Sequence, residues 1–283
     1  MRTLSQYVRR TPVMHVQVDG RPLVFKLEHL QLTGSFKIRG ALNKLLSLNV
    51  SEVVTASGGN HGIAVAQAAH LLGAHATVFV PVTAPETKTS RIEALGAKLI
   101  RHGTTYAEAA TAARAFGLTY IEAYNDPTVI EGQSTVTREI VEDAPEVDTI
   151  AIASGGGGLI AGAALASGGR LIVNVEPENC CAVHRALAAG EPVDGPVNSI
   201  AADALGATRA GENSLEILQQ HNVTSVLVSD EEILAARDRL WAEFRLAVEP
   251  AGATAFAAFL KGEVPGELPC VLLCGANSEW QPR

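Results

Sequence analysis

The sequence predicts an α/β protein built as two doubly wound domains with mostly parallel sheets. Three observations carry this expectation. Short β-rich runs recur along the 283 residues, stretches of helical period lie between them, and the runs are continuously apolar. An unbroken apolar run is the pattern of a parallel strand covered on both faces, whereas a half-exposed strand alternates. Strands alternating with helices point to βαβ crossovers.

In chain order the expected strands are 51–55 (SEVVT), 75–80 (HATVFV), 97–101 (AKLIR), 148–153 (DTIAIA), 170–175 (RLIVNV), 223–228 (VTSVLV) and 270–274 (CVLLC). The helical pattern falls at 61–72, 86–95, 105–116, 128–142, 158–167 and 230–244. Gly190, Pro192, Gly195 and Pro196 crowd the first part of 186–222, which reads as surface loop. Residues 51–123 form a compact run of three or four strands followed by Asp126-Pro127. We expect them to be a small α/β domain, with 1–50 and 124–283 together forming the larger one.

Composition narrows the class. With 47% hydrophobic and 18% charged residues the chain can build a sizeable core, which excludes a disordered or collagen-like protein. A net charge of −8 argues against a nucleic-acid partner, which calls for clustered Lys and Arg. No apolar stretch reaches the roughly 18–20 residues of a membrane span, and the start MRTLSQYVRRTP lacks a signal-peptide core. A cytoplasmic protein is expected. The four cysteines, Cys180, Cys181, Cys270 and Cys274, make neither a disulfide framework nor a spaced metal site.

Four segments could carry chemistry. The strand DTIAIA runs through Ser154 into Gly155, Gly156, Gly157 and Gly158 and then the helical LIAGAALA. Glycines let N–H groups converge, and a helix N-terminus favours an anion. Gly156, Gly158 and Ala161 also fit G-x-G-x-x-[GA], with Glu176 at a strand end 20 residues after Gly156. A dinucleotide, another phosphate and tight packing therefore all stay open. The run Thr33-Gly34-Ser35-Phe36-Lys37 contains a lysine that, alone, reads as a solvated helix start. Ser57-Gly58-Gly59-Asn60-His61-Gly62 joins a strand to a helix, suiting a carboxylate or phosphate, or merely an N-cap at Ser57 or Asn60. Cys274 to Asn277 follows the last strand, at the carboxyl edge where α/β folds place ligands. Taken alone, Cys274 reads as a buried strand residue.

Taken in order, TPV, KLEHLQLTGSFKIRGA, ASGGNHGIAVAQAA, GGGGLIAG, VEPAGATAFAA and LLCGAN resemble the serine/threonine dehydratases, pyridoxal-phosphate enzymes of fold type II. The matches run from about residue 11 to residue 277, and Tyr124 to Gln133 resembles the family segment before the glycine loop. The resemblance implies that Lys37 bonds covalently to the cofactor and that Phe36 packs on its ring. Asn60 would meet the cofactor's phenolate oxygen, while Ser57, Gly58, Gly59, Asn60 and His61 line the substrate carboxylate. Gly155, Gly156, Gly157 and Gly158 would hold the phosphate, which displaces the dinucleotide reading. Cys274 stands where the family usually has a serine facing the pyridine nitrogen. A neutral thiol, unlike a carboxylate, does not enforce a protonated pyridinium, so the ring is a weaker electron sink.

The implied reaction is β-elimination from a small 3-hydroxy amino acid such as L-serine or L-threonine, with Lys37 as general base. Amino-acid racemisation is the competitor. The racemases that this chain resembles carry a serine where this sequence has Gly58, which favours elimination and leaves room for a bulkier substrate. A protein that binds the cofactor or an amino acid without turnover is a third reading. Some relatives bind a divalent cation through the glutamate of V-E-P and a carboxylate six residues later. Here Glu176 fits and Ala182 does not, so no metal is expected. The chain ends soon after Asn277, from which we expect no regulatory domain. Family relatives also suggest a homodimer.

Overall fold

The computed structural model describes residues 3–48, 50–278 and 280. Among the described residues ten strands make two sheets: β1 Val13–Val18, β2 Arg21–Lys26, β3 Glu52–Ala56, β4 His75–Val80, β5 Lys98–Arg101, β6 Thr119–Tyr120, β7 Thr149–Ala153, β8 Leu171–Pro177, β9 Val223–Val228 and β10 Pro269–Leu272. The larger sheet runs β1-β2-β10-β7-β8-β9 and the smaller β5-β4-β3-β6. Every pairing is parallel except the β1–β2 hairpin.

All seven expected strands form, to within two residues. The hairpin was not among them, because β1 (VMHVQV) lies at a sheet edge and half-exposed, not as a doubly covered run. Its signal is local: Asp19 and Gly20 both take positive φ (51° and 76°), as a tight two-residue hairpin turn requires. All six expected helices form as well, again to within two residues. Helices Lys37–Ser47, Ala182–Ala189, Ala202–Leu205, Glu212–Gln219 and Pro250–Leu260 add to them. The expected loop at the start of 186–222 is corrected accordingly. The helix from Ala182 continues to Ala189 and ends on left-handed Gly190, so the irregular stretch begins there.

Strand alternation divides the larger sheet between two cores. Ile150, Ile152, Ile172 and Leu272 pack with Leu159 and Ile160 on one face. Ala151, Val173, Val175 and Val271 pack with Leu240, Phe256 and Phe259 on the other. Both faces are covered, which is why the strands read as continuous apolar runs. The smaller sheet is covered likewise, by Ile63 and Val65 on one side and Ala109 and Ala113 on the other. The Lys37–Ser47 helix inserts Ile38, Ala41 and Leu42 into that smaller core. No helix among the described residues is long and apolar enough to cross a membrane.

Candidate active site

The carboxyl ends of β3, β7 and β10 open into one cavity of about 460 Å³. Phe36, Lys37, Ser57, Gly58, Gly59, Asn60, His61, Gly155, Gly156, Gly157, Gly158 and Cys274 all line it, so the structure brings every sequence-predicted site residue together.

Lys37 opens its helix immediately after Phe36, whose ring lies 5.1 Å from Nζ. Nζ donates a 2.9 Å hydrogen bond to the Ala123 carbonyl. Burial penalises the ammonium and pushes the pKa down to about 8, although the Cys274 side chain pulls the other way. The neutral amine that a nucleophile or base must offer is therefore far easier to reach than for an exposed lysine, although the ammonium still predominates below about pH 8.

The loop after β3 is shaped by Gly62. A β-carbon there would lie 2.0 Å from the Ser57 carbonyl oxygen, so the chain can close only over glycine. The Asn60–Leu72 helix begins without a side-chain cap, and Ser57 Oγ instead accepts from Gly59 N at 3.2 Å. Behind it His61 is buried. Its Nε2 lies 3.0 Å from the Ile121 carbonyl and so carries the proton. Burial first, and the Lys37 charge second, push its pKa down to about 3, which keeps the ring neutral.

Asn60 is clamped at both ends. Its Nδ2 donates to Glu249 Oε1 at 2.8 Å, and its Oδ1 accepts from Asn277 Nδ2 at 2.6 Å. The two partners fix which end of the amide is the donor and leave Nδ2 a second N–H. Glu249 lies in the quoted VEPAG run but sequence reasoning assigned it no role. The available signal was a carboxylate directly before a helix-opening proline, at Glu249-Pro250.

The glycine loop follows β7. Gly157 takes φ +96° as N-cap of the Gly158–Leu165 helix, which also lacks a side-chain cap. The Tyr124 ring lies so close to Gly156 that a β-carbon would come within 2.4 Å of it. Ser154 Oγ, next to the loop, is buried without a hydrogen-bond partner. An uncapped helix start, converging N–H groups and an orphaned hydroxyl fit a phosphate. Cys274 is 3% exposed, and its thiol donates to the Ala251 carbonyl at 3.5 Å. Burial, reinforced by Glu249, raises its pKa, so it remains a neutral thiol.

An enclosed lysine facing an anion cradle can hold a phosphorylated aldehyde. The family comparison agrees: a model described as pyridoxal-phosphate dependent enzyme matches residues 4–275. The chain belongs to this family. Its cofactor is pyridoxal phosphate, and its fold is that of the fold type II members. Among relatives of this pyridoxal-phosphate enzyme, the L-threonine ammonia-lyase of Thermotoga maritima is 36% identical, over 98% of this chain and 73% of the relative. The phenylserine dehydratase of Ralstonia pickettii is also 36% identical, over 98% and 90%. Among solved structures, a T.th. threonine deaminase aligns with TM-score 0.92 at 35% identity, over 99% of this chain and 96% of that one. Maize serine racemase aligns with TM-score 0.92 at 32% identity, over 98% and 91%.

Glu176, the residue that raised the dinucleotide and cation readings, lies elsewhere. Its carboxylate accepts from the backbone N–H of Val183 at 2.9 Å and of His184 at 2.6 Å, and from Asn174 Nδ2 at 2.7 Å. It caps the first turn of the Ala182–Ala189 helix.

Proposed function

We propose that the protein is a pyridoxal-phosphate-dependent ammonia-lyase that converts a small 3-hydroxy amino acid, such as L-serine or L-threonine, to a 2-oxo acid and ammonia. The observation that carries this is the Lys37 amine, its pKa depressed to about 8, at the meeting of the glycine loop, the Asn60 loop and the Cys274 thiol. Relatives named L-threonine ammonia-lyase and phenylserine dehydratase support a 3-hydroxy amino acid as substrate.

When bound, the cofactor supplies an electron sink for the carbanion formed at the substrate α-carbon. The residues of the chain do the rest. Lys37 would hold the cofactor, and its amine in the neutral form is the base for the substrate α-proton. Backbone N–H groups at the start of the Asn60–Leu72 helix bind the substrate carboxylate, with Ser57, Gly58, Gly59 and His61 lining that face. Gly155 to Gly158 would hold the phosphate, Phe36 would pack on the ring and Cys274 would meet the pyridine nitrogen. Glu249 and Asn277 fix the Asn60 amide, which would meet the phenolate oxygen. Racemisation needs a proton donor on the opposite face, and Gly58 offers none.

The same reading divides the chain into a larger domain (1–50 with 124–283) and a small one (51–123), and places the enzyme in the cytoplasm as a homodimer. The strands of the smaller sheet, β3 to β6, all fall within 51–123.

The test is release of 2-oxo acid and ammonia from L-serine and L-threonine by the cofactor-loaded protein, alongside Lys37→Ala. Turnover that disappears in the variant is the expected result. No product from any 3-hydroxy amino acid would sink the assignment, and enantiomer interconversion exceeding oxo-acid formation would make the protein a racemase.

A further inference from the structure

One wall of the cavity carries none of the residues assigned to the cofactor. It starts at Gly58, where an added β-carbon would lie 3.6 Å from Val80 Cγ1 and 3.8 Å from Ala84 Cβ, ordinary contact distances. Unlike Gly62, Gly58 is therefore not required by the fold; its missing side chain leaves space. The wall continues through Pro81, Thr83, Ala84 and Pro85, which follow β4, and ends at Tyr106.

The wall is one braced surface. Val82 N donates to the Gly103 carbonyl at 2.9 Å and Thr83 Oγ1 to the Thr104 carbonyl at 3.3 Å, tying the loop after β4 to the turn before Tyr106. The Tyr106 hydroxyl is taken up by Tyr120. The wall thus offers the cavity rings, methyl groups and two hydroxyls that already have partners.

Charge sharpens the point. Among the described residues lining the cavity, Lys37 is the one cation, and Asp203 and Glu249 are anions. The nearby arginines do not line the cavity, and their guanidiniums are already engaged: Arg101 on the carbonyl of the wall residue Ala84 and on Thr89 Oγ1, Arg91 on Asn277 Oδ1, and Arg114 on Glu122. A second carboxylate on the substrate would enter without a counter-charge, which is costly, whereas an apolar group would leave water for an apolar wall.

We infer that this wall is the subsite for the β-substituent and that it selects an uncharged apolar or aromatic group, making aryl- and alkyl-substituted 3-hydroxy amino acids the preferred substrate class. The inference rests on the ammonia-lyase reading, and its test separates the two. Oxo-acid release is measured from L-threo-3-phenylserine, L-threonine, L-serine and L-threo-3-hydroxyaspartate. Binding of each is measured by calorimetry on the cofactor-loaded protein. Phenylserine should exceed serine in kcat/KM and in affinity by about tenfold or more, with hydroxyaspartate the poorest, since pockets discriminate among apolar groups by roughly 10–200-fold.

Gly58→Ser should lower the phenylserine-to-serine ratio about tenfold, and Tyr106→Arg should raise hydroxyaspartate relative to phenylserine. Serine or hydroxyaspartate ranking first, or ratios unmoved in both variants, overturns the subsite. Absence of turnover with all four compounds overturns the ammonia-lyase reading instead, and the calorimetric order still decides the subsite.

Discussion

Lys37 is the residue where function and stability pull apart. Its folded pKa of about 8 lies below the ordinary 10.5 because the amine is enclosed. Between those two values the unfolded chain binds more protons than the folded one, so the stability of the cofactor-free protein rises with pH across that window. Below about pH 8 the cost of enclosing the ammonium is present in full, and above about pH 10.5 it is gone. Replacing Lys37 by methionine removes the titrating group and keeps most of the volume. Lys37→Met in the cofactor-free state should therefore be more stable than the parent at pH 7, by up to about 3 kcal/mol. The difference, followed by urea unfolding, should shrink as pH approaches 10.5. A variant less stable than the parent at pH 7 would mean that the bond to Ala123 outweighs desolvation. Glu249 acts at the same scale in another way: it touches Asn60 and adds to the burial that raises the Cys274 pKa, so one carboxylate fixes an amide donor and helps keep a thiol neutral.

At the scale of the element, the helix that begins at Lys37 is positioned by a buried charge network. Arg39 is fully buried and meets Glu28 at 2.6 and 3.0 Å and Glu139 at 2.6 and 2.9 Å. Lys26 Nζ closes the network on Glu139 at 2.6 Å, and Thr11 Oγ1 donates to Glu28 at 2.7 Å. Two cations and two carboxylates balance in the interior, tying β2 and the Pro127–Asp143 helix to the Lys37 helix. Arg39→Met leaves Glu28 buried without its cation and should cost roughly 3–5 kcal/mol. Arg39→Met combined with Glu28→Gln should recover part of that in chemical denaturation. Equal losses in the single and double variants would show that packing, not charge, holds the helix. None of this network was legible in the sequence, because its members are spread over residues 11 to 139 and each of its charged members reads as an ordinary surface charge. The doubly covered strands were legible, since burial on two faces leaves an unbroken apolar run. The Lys37–Ser47 helix showed only as a helix start at Lys37, without its extent, because Gly40 lies mid-helix, where a β-carbon would strike Gln133 and Val129. The glycine loop showed as an anion cradle, but Gly156 is also demanded by the Tyr124 ring, a tertiary contact that no local pattern encodes.

At the scale of the whole molecule, the site is a junction between the two sheets. Asn60 follows β3 of the smaller sheet, whereas Glu249 and Asn277 belong to the chain around the larger one, and Arg91 adds a 2.7 Å bond to Asn277 Oδ1. The glycine loop and Cys274 come from β7 and β10, and the Asn60 loop from β3. A ligand that engages all of these stabilises the folded state against opening of either half. By mass action, pyridoxal phosphate at 100 times its dissociation constant should stabilise the protein by about 2.7 kcal/mol. Because the contacts span the junction, amide exchange should slow in β3 and β4 as well as in β7 and β10. Lys37→Ala should lose most of this gain while keeping a phosphate-dependent remainder at the glycine loop, visible as protection of the Gly158–Leu165 helix by inorganic phosphate alone. Protection confined to the larger sheet in the parent would show that the Asn60 loop does not engage the cofactor and would remove Asn60 from the binding set.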